Sequence, residues 1–184
     1  MIETLYKTKK TVFTFNEVSM LLGETDALLL KSKINYYVKT KKLKNPRRGI
    51  YSLPEYSKEE LACKLYTPNY LSLEYVLQKE GVIFQYQEEI SIVSYLSRRV
   101  TMDHTNFSYK KIKKEILLNT KGITMNNDIN IATKERAILD MLYLKKDYYF
   151  DNLNGLNKDL ISELLATVYC NKALSKRAKR VLNV

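Results

Sequence analysis

Eight cationic side chains fall between positions 31 and 48 with no acid among them: Lys31, Lys33, Lys39, Lys41, Lys42, Lys44, Arg47 and Arg48. The chemistry open to such a set is ion pairing with a polyanion. Lysine ammonium groups act as compact point charges, and arginine adds a planar fork that meets phosphate oxygens two at a time. The rest of the chain offers little that is reactive. His104 is the only histidine. A hydrolytic triad built on it would need a serine in a strained elbow, and no Gly-x-Ser-x-Gly occurs. One histidine also cannot build a histidine-rich metal site, so Asp103-His104-Thr105 reads as a turn or surface segment. A metal-dependent nuclease needs converging carboxylates. Glu135 and Asp140 stand five apart on one predicted helix, so their side chains diverge by about 140°. They, with Glu88, Glu89 and Asp103, are expected to be ordinary surface charges. Five glycines leave little room for a phosphate-cradling loop. Neither a cofactor nor catalysis is expected.

The global charge agrees with the local one. The 184 residues carry a formal net charge of +11. Residues 1–53 hold 11 Lys/Arg against 4 Asp/Glu, and residues 54–184 hold 20 against 16. A polyanionic partner is the natural reading, nucleic acid before an anionic membrane. A Lys-, Asn- and Ile-rich genome would raise the lysine count, but it would not clear every acid from one window of 18 residues. Cys63 and Cys170 lack metal-ligand spacing and read as reduced, half-buried thiols of a cytoplasmic protein. No signal-peptide pattern opens the chain and no apolar run is long enough to span a bilayer.

The elements that must position the cations can be read from caps and periodicity. Residues 1–10 form a first helix or arm. Thr14-Phe15-Asn16-Glu17 has the spacing of a capping box and opens a helix stopped at Gly23. Thr25 or Asp26 caps the next helix, which runs to about Lys41. Ala27, Leu30, Ile34, Tyr37 and Val38 line one face of it; Leu29, Ser32, Lys33, Tyr36 and Thr40 line the other. Asn45-Pro46-Arg47-Arg48-Gly49 then turns into the strand-like Ile50–Leu53. Three helices and a basic hairpin make a winged helix-turn-helix over residues 1–53. In that geometry Ser32, Lys33, Tyr36 and Thr40 approach a DNA groove, and Lys41, Lys42, Lys44, Arg47 and Arg48 meet phosphates.

Residues 54–184 read as a second, mixed α and β domain, so the predicted class is α+β. A second capping box, Ser57-Lys58-Glu59-Glu60, starts a helix to about Leu65. Ser72 caps a helix through Lys79. Strands are expected at Glu89–Leu96, Arg98–Met102, Phe107–Ile112 and Ile129–Ile131, with a loop over Asn119–Asp128. Thr133 caps a helix that buries Ala137, Ile138, Met141 and Leu142. Two helices close the chain, near Leu160–Tyr169 and Lys172–Leu182. The late aromatics Tyr143, Tyr148, Tyr149, Phe150 and Tyr169 fit either a protein interface or core packing. The last helix is basic through Lys172, Lys176, Arg177, Lys179 and Arg180. It suits an acidic partner, DNA or plain solvent equally.

The order of these segments resembles the AbiEi-type antitoxins, the antitoxin and transcriptional-regulator members of abortive-infection (type IV) toxin–antitoxin pairs. The resemblance is carried by Val12–Val18, by Arg48-Gly49-Ile50-Tyr51-Ser52-Leu53-Pro54, and by Thr67–Leu77 with Gly81. It continues through Asn106–Ile112 and Ile129–Tyr143. It implies an antitoxin that represses its own operon through the N-terminal winged helix, on double-stranded operator DNA with inverted repeats. It implies that the C-terminal region neutralises a nucleotidyltransferase-like toxin encoded nearby, stoichiometrically and without turnover. Tyr75 departs from the pattern, which implies a small residue there. Two alternatives stand beside it: a ligand-responsive winged-helix transcription factor without a toxin partner, and a nucleic-acid-processing enzyme with a winged-helix specificity domain.

Overall fold

The computed structural model describes residues 2–182. The chain is α+β and divides into two compact units, Met1–Leu65 and Tyr66–Val184. No helix among the described residues is long and apolar enough to cross a membrane.

The first unit runs α1 (Ile2–Tyr6), β1 (Val12–Thr14), α2 (Phe15–Leu22), α3 (Ala27–Lys39), β2 (Lys44–Arg47), β3 (Ile50–Ser52) and α4 (Lys58–Leu65). The capping box forms as its spacing demands. The Glu17 amide donates to Thr14 Oγ1, and the Glu17 carboxylate accepts from the Thr14 amide at 2.7 Å. Gly23 ends α2 in the left-handed conformation. Asp26 caps α3, its carboxylate accepting from the amides of Leu28 and Leu29. Of the expected apolar stripe of α3, Ala27 is exposed in the first turn and the other four pack inward. Leu30 and Ile34 are fully buried with Leu5, Phe13, Val18, Leu43 and Leu53, and Tyr37 and Val38 pack at the margin. The strands form an antiparallel sheet in the order β1-β3-β2. Pro46, which has no N–H to give, sits on β2 at the edge.

Helix α4 belongs to this first unit, so the unit extends past the expected limit at Leu53 to Leu65. The Ser57 hydroxyl does accept from the Glu60 amide at 3.2 Å. The Glu60 carboxylate, however, does not reach back to its own helix as a full capping box would. It is buried and accepts from Thr11 N, Thr11 Oγ1 and Val12 N at 2.6–2.9 Å, fastening α4 to β1. Glu17 receives Lys64 of the same helix.

That second carboxylate gives the first unit a pH dependence. Burial pushes the Glu17 acid up, but the hydrogen bonds from Lys64 and from the Thr14 amide and hydroxyl outweigh it. The folded-state pKa therefore lies below the ordinary 4.5. A depressed acid stabilises the fold above its unfolded pKa, and the contribution is lost as pH falls through the folded one. Amide protection of α2 and α4 should accordingly drop as pH falls below 4.5, and Glu17→Gln should flatten that part of the profile. An unchanged profile in the variant would assign the acid sensitivity elsewhere.

The second unit holds a mixed sheet in the order β6-β7-β5-β4-β9-β8. Its strands are β4 (Asn69–Leu71), β5 (Ile90–Ser94), β6 (Arg98–Met102), β7 (Thr105–Lys111), β8 (Ile123–Asn126) and β9 (Ile129–Ala132). β5 pairs parallel to β7 and β4 parallel to β9; the other pairs are antiparallel. All five residues of β5 are buried, as suits an inner strand covered on both faces. The helices are α5 (Leu73–Lys79), α6 (Lys114–Leu118), α7 (Lys134–Leu144), α8 (Lys158–Leu164) and α9 (Lys172–Leu182), with a π-helical turn at Leu165–Tyr169. The segment read as a loop over Asn119–Asp128 contains β8. This edge strand is largely exposed, so its sequence has no buried face to advertise it. Tyr75 is only half-buried on α5, with Lys79 Nζ 4.8 Å from its ring centre, so its bulk fits at the helix margin. Asp103 and His104 both have positive φ and form the two-residue turn between β6 and β7.

Candidate nucleic-acid interface

The cations of residues 31–48 are set by three devices. The first is α3, held by its buried stripe so that Lys31, Ser32, Lys33, Tyr36, Lys39 and Thr40 are exposed. The second is the tight exit from α3. The amides of Lys42 and Leu43 both donate to Tyr37 O, Lys41 takes φ +58°, and the buried Leu43 anchors the turn. Lys41 and Lys42 are thereby fixed at the surface. The third is the β2–β3 hairpin, whose turn is bridged by Asn45. Its side-chain amide donates to Arg47 O and Ile50 O, each at 2.8 Å.

The nine expected contact residues are not equivalent. Lys41, Lys42 and Arg48 are exposed. Lys44 is exposed on β2 with its ammonium 5.3 Å from the Tyr56 ring centre. Ser32 and Tyr36 lie open on α3, and Tyr36 meets Tyr37 edge to face at 5.4 Å. Lys33 is in an ion pair with Glu24 at 2.7 Å, which holds the Glu24 acid below its ordinary range together with the Asp26 amide. The Thr40 hydroxyl donates to Tyr36 O at 3.0 Å, so it is engaged in closing the helix. Arg47 is half-buried and turned inward, its Nη1 donating to Leu65 O at 3.2 Å. It braces the hairpin against the end of α4, whereas Arg48 beside it faces solvent. Leu28 and Asn35, absent from the expected set, are exposed on the same helix. Their angular positions, next to Ser32 on a 100° wheel, are the signal that would have found them.

The second unit contains a different concentration of charge. Arg136, Asp140, Tyr70, Ser72 and Tyr169 meet in its interior, all five at most 5% exposed. Tyr169 and Tyr70 donate to Asp140 Oδ1 at 2.7 and 3.1 Å, and Ser72 donates to Oδ2 at 2.8 Å. Arg136 donates to Ile116 O, Lys121 O and the Tyr70 hydroxyl, and its Nε lies 3.7 Å from Asp140. Burial pushes the Asp140 acid above its ordinary range, against the pull of Arg136 and its three hydroxyl donors. Glu135 is buried too, accepting from the Asn157 amide at 3.1 Å. The expectation that Glu135 and Asp140 are surface charges is therefore corrected. They do diverge as their spacing requires, but each points to a partner elsewhere in the fold. Glu88 is exposed, and Glu89 pairs with Arg99 at 3.3 Å.

The late aromatics divide. Tyr169 and Phe150 are core residues, while Tyr149 is 81% exposed. Cys63 is buried and Cys170 exposed, and no disulfide joins them. Comparison with models of known protein families gave no match, and comparison with curated proteins gave no significant one.

Proposed function

We propose that the chain is a DNA-binding antitoxin of a bacterial toxin–antitoxin pair, whose first unit is a winged helix-turn-helix acting as an autorepressor. The observation that carries the DNA-binding half is one of order and charge together. Helix, strand, two helices and a two-stranded hairpin follow one another, with the sheet ordered β1-β3-β2. The second of the paired helices and the hairpin bear the acid-free cationic window. In this reading α3 is the recognition helix. Lys41, Lys42, Lys44 and Arg48 supply phosphate contacts, while Ser32 and Tyr36 face the groove. Neutralisation of a nucleotidyltransferase-like toxin by the second unit rests on the segment order from Thr67 to Tyr143. The mechanism is stoichiometric binding in the cytoplasm.

The test is binding of the purified chain to the DNA upstream of its own coding sequence and to a scrambled duplex, each at two salt concentrations. Tighter binding to the native duplex that persists at the higher salt supports a specific repressor. Equal and salt-sensitive binding to both would reduce the surface to a nonspecific phosphate binder. Co-expression with a neighbouring nucleotidyltransferase-like gene tests the other half, and unrelieved toxicity would overturn it.

A further inference from the structure

The outward face of α3 is apolar in its first turn and cationic towards and beyond its C-terminal end. Leu28 is 81% exposed, Leu29 46% and Tyr36 60%. The two leucines lie in the first turn, and Ser32, Asn35 and Tyr36 continue the same side of the helix. Lys31 borders it, Lys39 lies on it in the last turn, and Lys41, Lys42, Lys44 and Arg48 follow its C-terminal end. The acids near its start are engaged, Glu24 by Lys33 and Asp26 by the helix amides.

Exposed leucines in a cluster call for a cover. A second copy of the same face would set lysine against lysine across a two-fold axis, because such an interface is self-facing. The charge therefore favours a polyanion, and that polyanion must present apolar groups where the first turn of α3 meets it. The major groove of duplex DNA does so wherever thymine displays its 5-methyl group. Residues in the first turns of a groove-entering helix are the ones that reach base edges, and Leu28 and Leu29 are placed there. Asn35 adds a side-chain amide of the kind that pairs with adenine N6 and N7.

Resting on the DNA-binding reading above, we propose that Leu28, Leu29 and Asn35 make α3 a reader of A·T base pairs. The leucines pack on thymine methyls and the asparagine bonds adenine.

The experiment is fluorescence anisotropy of the full chain at one salt concentration on three duplexes: alternating A·T, the same with uracil for thymine, and alternating G·C. The expected result is tighter binding to A·T than to G·C. Uracil substitution should cost about fourfold in affinity for each methyl contacted. Leu28→Ala with Leu29→Ala should erase the thymine–uracil difference, and Asn35→Ala should narrow the gap between A·T and G·C. Because all three side chains are exposed, these variants should fold. Equal affinity for thymine and uracil duplexes, or a difference that survives the double leucine variant, would overturn the proposal while leaving DNA binding in place. Failure to bind any of the three would overturn the DNA-binding reading itself.

Discussion

Arg136→Met should destabilise the second unit by about 3–5 kcal/mol, the range for removing one partner of a buried ion pair. The guanidinium donates to the end of α6 through Ile116 O, to the loop before β8 through Lys121 O, and to β4 through the Tyr70 hydroxyl. Its removal takes the guanidinium donor from Lys121 O, leaves Ile116 O with the Asn119 amide, and leaves Asp140 without its counter-charge. The approach around it is already close. A Cβ on Gly122, which has φ +68°, would lie 3.1 Å from Arg136 Cβ, so α7 and the turn before β8 are in close contact there. Hydrogen exchange across α7 and β9 in urea would measure the loss. Adding Asp140→Leu should recover part of it, because the second substitution removes the stranded acid. A variant as stable as the parent would mean that the hydroxyl donors alone sustain Asp140.

The second large effect concerns salt. Substituting Lys41, Lys42, Lys44 and Arg48 together by alanine should cut the slope of log affinity against log salt by about 3.6, if each cation neutralises one phosphate of duplex DNA. Affinity at low salt should fall with it for every sequence alike. Arg47→Ala should behave differently. Its guanidinium braces Leu65 O, so the slope should change little while the β2–β3 hairpin loses hydrogen-exchange protection. Titration of binding across a salt series separates the two. A slope unaltered by the fourfold substitution would remove the hairpin and the α3 exit from the interface.

How much of this was legible in the sequence follows from the distance over which each signal acts. The Thr14–Glu17 box, the Gly23 stop, the Asp26 cap and the two faces of α3 involve neighbours within a turn or two, and local chemistry determines them. The exposed cations follow from the same helical period. What escaped was set by distant partners. Glu60 has the spacing of a local cap, yet Thr11 and Val12 compete for its carboxylate from about 50 positions away. Asp140 looks like any helix acid until β4 and the start of α5 bring Tyr70 and Ser72 to it. β4 is three residues long and fully buried, too short for a period to declare itself. Arg47 and Arg48 are adjacent and alike in type, and only the fold makes one a brace and leaves the other in solvent.

The glutamates that fasten α2 and α4 also close off the border of a sheet. β1 is an edge strand, and its Val12 and Thr14 amides point away from β3. An edge of this sort normally offers its donors to any extended chain that drifts alongside. Here the Val12 amide is taken by Glu60 and the Thr14 amide by Glu17. Two carboxylates stand where a neighbouring strand would, so the outward amides of this margin are already taken. On the β1 side, the first unit therefore guards its sheet with side chains of its own helices and not with a further strand.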